Sequence, residues 1–408
     1  MSCSNQVVRF ALSDASGVTG FSVTSKVEAG AQGLLARGCT KVGGVCTDYS
    51  GNIYVSDMDQ HCILKIDEGG RISNFAGLPG TSGNNDIANI PQRVPCNDTQ
   101  VAGVMQGDGA RFYMPMGLCC DKSNRIYVAD YGNNQIRVID SGYVSVVAGL
   151  SGKGALFLDG VGHIARFNGP KGIDVDASGI LYVADHGNHA IRKIFPNGKV
   201  QTLSGDTAGA GAGDEEDIKA DGISKQLSSP WGVACDAEGN VYVLDTGNHK
   251  IKKITPRGWI YLHSGSGVEG HSLGTAGTTP ATCQSFTCTY GDLTYCKIDK
   301  SGNLYVVDRL ESWTRLLKVN YNGVPAQIAD FHATAYVDCP IGVAVSPGQK
   351  LFVTFSDFET HKSSSSSSSS IDSSSSSSID SSSSSSSIDS SSSSSSLSSE
   401  SSSSSGSD

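Results

Sequence analysis

Five times along the 408-residue chain an aspartate closes a short β-branched and aromatic run: Asp57, Asp130, Asp185, Asp245 and Asp308. Glycine and asparagine follow at Gly187-Asn188 and Gly247-Asn248, then histidine at His189 and His249, and His61 trails Asp57 at similar spacing. A carboxylate beside an imidazole is the raw material of general acid–base chemistry or of a metal site. The same set recurring in successive repeats argues for a structural task instead. Asp and Asn side chains bond turn N–H groups, Gly takes positive φ, and His packs between neighbouring units.

Residues that differ between repeats at the next station are better candidates for recognition. They are Met58, Tyr131, His186, Thr246 and Arg309, expected around the mouth of a central channel. His186 is the one histidine with a channel-side address, too few for a three-ligand zinc site. The loop Gly205–Asp217 concentrates Asp206, Asp214, Glu215, Glu216 and Asp217 among glycines. Oxygen ligands on flexible backbone suit calcium, although the EF-hand order is absent. Ser151-Gly152-Lys153-Gly154 lacks P-loop spacing.

The elements that must position these residues repeat with them. Gly172–Ile194 reads as two short strands joined at Ala177-Ser178-Gly179, followed by a third, Ala190–Ile194. Related text starts at Gly44, Gly117 and Gly232, with weaker copies ending at Asp308 and Phe355. A fourth strand follows in the first five copies: Arg71–Ala76, Tyr143–Ala148, Lys199–Leu203, Trp259–Leu262 and Val324–Ala329. The sixth copy runs out after Leu351–Phe355. Asn5–Phe10 matches the third-strand pattern and Gly20–Thr24 supplies a fourth, so the two ends are expected to share a blade. The fold class expected is an all-β, six-bladed β-propeller of four-stranded antiparallel blades, the last closed by N- and C-terminal strands.

Segments such as Gly117-Leu118-Cys119-Cys120-Asp121 and Ile126-Tyr127-Val128-Ala129-Asp130, with the lead-ins Ala110-x-Phe112-x-x-Pro115 and Ala165-x-Phe167-x-x-Pro170, resemble the NHL-repeat family. The resemblance covers roughly residues 5–355 and implies the propeller fold far more than any one function. Some propeller lyases similar to these repeats hold zinc with channel histidines, which keeps a metal-dependent lyase or lactonase as an alternative.

Strand direction puts the long inter-blade connections and the second-to-third turns on one face, which is the expected binding face. They are Leu78–Met114, Leu150–Gly169, Asp206–Ser229, Gly265–Tyr290 and Asp330–Pro340. Residues 1–362 are read as the propeller and 363–408 as a low-complexity, serine-rich C-terminal tail, either a solvated stalk or a pairing fibre segment. The chain carries a net charge of −10, of which five tail carboxylates contribute half, leaving a mildly acidic body. That disfavours nucleic acid as a partner, and no apolar run is long enough to span a bilayer. The N-terminus has no signal-peptide pattern. All twelve cysteines lie in the body; Cys46, Cys119, Cys120, Cys235 and Cys296 fall in or beside first strands as buried free thiols, with Cys283/Cys288/Cys296 the alternative for disulfides.

The expectation is a non-enzymatic propeller with no obligatory cofactor, calcium or zinc being the candidates, that binds a protein or glycan partner through its looped face. The tail would act as a stalk or homo-oligomerising segment. Display on a virion or an extracellular surface, as an attachment or decoration protein, follows from that architecture; a cytoplasmic interaction scaffold is the alternative.

Overall fold

The computed structural model describes residues 7–11, 24–25, 41–67, 72–84, 94–95, 109–152, 156–205, 227–270, 272, 292–310, 313–332, 339–347 and 350–356. The chain divides into two compact units, 1–359 and 360–408, and all described residues belong to the first. The serine-rich tail lies outside the described residues, as do the calcium candidates Asp206, Asp214, Glu215 and Asp217.

The described strands form six antiparallel sheets. Blade 1 holds Val42–Thr47, Ile53–Asp57, Cys62–Ile66 and Ile72–Ala76 in chain order. Blade 2 is built from Pro115–Cys120, Ile126–Asp130, Gln135–Asp140 and Tyr143–Gly149. Blade 3 is built from Pro170–Val175, Leu181–Asp185, Ala190–Ile194 and Lys199–Ser204. Blade 4 runs Val233–Cys235, Val241–Asp245, Lys250–Ile254 and Ile260–Ser264. Blade 5 runs Asp292–Ile298, Leu304–Leu310, Trp313–Val319 and Pro325–His332. These five are each one continuous stretch of chain. The remaining sheet is composite: Thr24–Ser25 pairs with Val7–Ala11, which pairs with Lys350–Ser356, which pairs with Cys339–Val345. Its seam runs Val7↔Thr354 to Ala11↔Lys350. Neighbouring first strands touch all the way round, from blade 1 through blade 5 to Cys339–Val345 and back to blade 1. The architecture is an all-β propeller.

The expectation of four strands per blade is corrected in two places. Val94–Pro95 adds a fifth strand outside Tyr143–Gly149 of blade 2, and Gly160–Val161 does the same outside Lys199–Ser204 of blade 3. Both come from connections that the strand directions assign to the looped face. In each case the chain instead descends the outer edge of the following blade, satisfying edge N–H and C=O groups that would otherwise face water.

Burial explains the strand sequences. The second strands IYVSD, IYVAD, LYVAD and VYVLD are buried at every residue, because each blade is covered on both faces by its neighbours. Repeat glycines open the first strands for a related reason. A Cβ on Gly117 would lie 2.3 Å from the Lys171 carbonyl oxygen, and one on Gly172 2.4 Å from that of Trp231. Successive inner strands meet backbone to backbone, and only glycine fits.

Candidate functional site

The repeated aspartates at the ends of the second strands are fully buried and committed. Asp185 Oδ1 accepts the Asn168 N–H at 2.8 Å, while its Oδ2 accepts Asn188 Nδ2 and Arg192 Nη1, each at 2.8 Å. Asp130 takes Tyr113 N–H, Asn133 and Arg137, and Asp245 takes Ser228 N–H, Asn248 and Lys252. Asp308 binds Arg315 Nε at 2.8 Å. The basic partner stands seven residues after the aspartate, on the adjacent third strand. Burial pushes the Asp130 and Asp185 carboxyls up to about 6, against the pull of Arg137 and Arg192.

The residues that follow these turns, Asp-x-Gly-Asn in blades 2 to 4 and Asp57-Met58-Asp59-Gln60 in blade 1, adopt left-handed backbone, and His61, Asn134 and His189 bond the next blade. His61 and His189 sit at φ 55° and 54°, and their Nδ1 atoms accept Met114 and Ser229 N–H groups at 3.2 and 2.9 Å. Asn134 Oδ1 accepts the Gly169 N–H at 2.7 Å. These histidines are therefore blade-to-blade fasteners.

A second recurrent set, not singled out in the sequence, closes the first-to-second strand turns. Asp48, Asp121, Asp176, Asp236 and Asp299 each accept turn N–H groups on Oδ1 at 2.8–3.0 Å. On Oδ2 each accepts the hydroxyl of the tyrosine six residues on, at 3.0–3.4 Å. The signal was present as Asp-x5-Tyr in five repeats.

The five residues expected at the channel mouth occupy the second-strand ends, and three of them, Tyr131, His186 and Thr246, contact the next blade's first strand or its lead-in. His186 is half-buried, with Nδ1 3.2 Å from the Pro230 carbonyl oxygen and its ring edge-on to Trp231 at 5.8 Å. Burial, then the Lys171 charge, pulls His186 down to about 4. Thr246 is buried and donates to the Leu293 carbonyl at 2.7 Å, while Tyr131 lies under Gly169. Met58 is buried beside Gly43, and Arg309 sits within Leu304–Leu310, paired with Asp292. None of these contacts runs to another of the five.

A cavity of about 710 Å³ opens at the other end of the first strands, on the face of the short turns. It is reached past Tyr49 and Tyr321, and Cys46, Cys120, Cys235, Asp174 and Lys297 line its walls. The expected binding face was the looped one; this cavity is on the opposite side, where two- to five-residue turns leave the channel end open. Asp174 is buried: its Oδ1 accepts Lys297 Nζ from across blade 4, and its Oδ2 accepts the Cys235 N–H at 2.9 Å and thiol at 3.4 Å. Two residues before the turn aspartate, or Ser346 in the composite sheet, stand Cys46, Cys119, Asp174, Ala234, Lys297 and Ala344. The two charges are the outliers of that register, a sign legible in the sequence once the repeats are aligned.

Cys46, Cys62, Cys119, Cys120, Cys235 and Cys296 are free thiols. Burial first raises Cys46, Cys119 and Cys235 well above the usual thiol range, and Cys120 to about 12. They are neutral, soft walls rather than nucleophiles. Among the described residues no cluster of three or more His, Cys, Asp or Glu side chains is arranged to hold a metal ion. Nor is any described helix long and apolar enough to cross a membrane.

Comparison with known proteins fits this geometry. The NHL repeat model matches residues 112–139, 167–194 and 227–254, each running from the lead-in of a blade to the end of its third strand. The chain is 31% identical to human NHL repeat-containing protein 2 over 156 residues, 35% of this chain and 21% of that protein. It is 34% identical to Arabidopsis thaliana Protein SUPPRESSOR OF QUENCHING 1, chloroplastic, over 284 residues, 56% of this chain and 26% of that protein. With mouse Teneurin-4 it shares 26% over 231 residues, 53% of this chain and 8% of that protein. The chain thus spans about a quarter or less of these relatives. Among solved structures, a gluconolactonase from Xanthomonas campestris aligns at TM-score 0.47 and 13% identity, over 78% of this chain and 86% of its own. A virginiamycin B lyase from Staphylococcus aureus aligns at 0.44 and 11%, over 78% and 96%. The repeated Asp–Arg clamp, the Asx-capped turns and the matched segments agree: the chain carries NHL repeats at residues 112–139, 167–194 and 227–254.

Proposed function

We propose that the chain is a six-bladed propeller, the composite sheet being the sixth blade, that serves as a non-enzymatic binding module for a protein partner. The observation that carries this reading is a row of large apolar side chains on the outer edge of blade 3. Leu156, Leu158, Val161 and Ile164 are each 48–52% exposed. A cluster of this kind is costly to leave in water and marks protein contact surfaces. The segment is held rigidly, since Arg192 Nη2 donates to the Leu158 carbonyl at 2.8 Å and pairs with Asp159 at 2.6 Å. The repeat carboxylates and imidazoles that look catalytic are already spent on turns and seams, which favours binding over chemistry.

The test compares the wild-type chain with a Leu156→Ser/Leu158→Ser/Ile164→Ser variant in crosslinking from the native source. A partner held by the wild type and lost by a folded variant supports the reading. A partner held equally by both assigns recognition to another surface. The second reading, a lyase or lactonase with a channel metal, is favoured instead if purified protein turns over a lactone only when a divalent metal is added.

A further inference from the structure

The cavity on the short-turn face has the size of a small-molecule site, roughly 300–1,000 Å³ being usual. Its chemistry is uneven in an informative way. Asp174 is 2% exposed and both its oxygens are engaged, by Lys297 and by the backbone and thiol of Cys235. It has little left to offer a ligand. The Lys297 side chain is 27% exposed to the cavity, and an ammonium carries three donors, of which Asp174 takes one. Burial works against the Lys297 charge, but Asp174 outweighs it and holds the ammonium above the usual lysine range. Val175, Ile298, Ala344 and Val345 supply apolar wall, while Lys253, Lys300, Asp236, Glu238 and Asp299 also line the cavity.

We infer that this end of the channel binds a carboxylate with an apolar body, the anion on Lys297 Nζ and the hydrocarbon against Val175, Ile298 and Val345. Asp174 acts as a positioning residue: it fixes the ammonium at the wall and keeps it charged. A small organic acid and the C-terminal carboxylate of a peptide share this chemistry. The site is remote in character from the blade-edge surface, and its test uses different variants, so either proposal can fail without the other.

The probes are hexanoate, hexylamine, and a Gly-Gly-Leu tripeptide with a free or amidated C-terminus, titrated by calorimetry and by methyl NMR of the full chain. Hexanoate, the free tripeptide or both should bind and shift the methyl signals of Val175, Ile298 and Val345, while hexylamine and the amidated peptide should not. Binding of the peptide alone assigns the site to peptide termini; binding of hexanoate assigns it to small acids. Lys297→Met alone strands a buried carboxylate, so the informative variant is Asp174→Asn/Lys297→Met, which removes both charges and keeps an acceptor for the Cys235 N–H. It should melt near the wild type and bind at least tenfold more weakly, whereas Lys297→Arg should bind within about threefold of it. No binding of either carboxylate, or equal binding by the double variant, overturns the inference.

Discussion

A guanidinium removed wholly from water destabilises the fold unless every partner is in place, and Arg192 is removed wholly. It satisfies Asp185 and the Arg166 and Leu158 carbonyls, pairs with Asp159, and lies between the rings of Phe157 and Phe167 at 4.7 and 5.1 Å. Arg192→Leu leaves Asp185 buried without its cation. It should cost about 3–5 kcal/mol, read as a fall in the urea midpoint, and should speed amide exchange in residues 156–164. Titration at this scale runs in two directions. Burial holds His186 and His263 down to about 4. Their unfolded forms take up protons first, so the stability they contribute is full above about 6.5 and is lost as pH falls toward 4. Asp130 and Asp185, raised to about 6, do the reverse: the folded state takes up protons first, and acidification from 6 to 4 relieves their cost. The two slopes oppose each other between pH 4 and 6. A His186→Gln/His263→Gln variant should therefore gain melting temperature relative to the wild type on acidification through that window. An unchanged difference between the two proteins would refute the assignment.

At the scale of the element, the register between strands is set by features that no single strand contains. In each of the five continuous blades the pairing of third and fourth strands shifts by one residue, at Ile63/Leu64, Ile136/Arg137, Ile191/Arg192, Ile251/Lys252 and Leu316/Leu317. Such a bulge re-aims the side chains that follow it; in blades 2, 3 and 4 the residue just past the shift, Arg137, Arg192 or Lys252, belongs to the basic clamp, whereas in blade 5 Arg315 precedes the shift. The glycines that open the first strands are the other device. Gly117→Ala sets a methyl 2.3 Å from the Lys171 carbonyl oxygen, in a neighbouring blade whose backbone cannot retreat alone. The expected loss is about 1–3 kcal/mol by thermal or urea unfolding, with the β-rich circular dichroism retained. In blade 5 the station is Tyr295, which is buried with its ring edge-on to Trp231.

For the whole molecule, the decisive contact is the composite sheet, in which the first described strand, Val7–Ala11, hydrogen-bonds to the last, Lys350–Ser356. Gly342 and Thr354 then abut the Gly43 carbonyl of blade 1, carrying the closure on to the next sheet. Deleting residues 1–11 should expose the 350–356 edge, lower the melting temperature and produce concentration-dependent association in sedimentation velocity. A monomeric variant of unchanged stability would show that the seam contributes nothing. Because closure is cooperative, the channel and its Asp174–Lys297 pair depend on it: the two residues come from blades 3 and 5, and blade 4 lies between them.

The strand repeats, the all-β class, the split closing sheet and the structural role of Asp-x-Gly-Asn were readable from the repeats, because β-branched runs and turn chemistry act over a few residues and recur at matching stations. The fifth strands at Val94–Pro95 and Gly160–Val161 were not, since two-residue pairings have no pattern of their own and arise only where a returning connection meets an open edge. Nor was the cavity. The sequence placed Asp174 and Lys297 in separate repeats, 123 residues apart, as two odd charges. Their pairing, and the open channel end beside them, followed from ring geometry, which sums the small rotation between blades over the whole circuit and has no counterpart in any one segment.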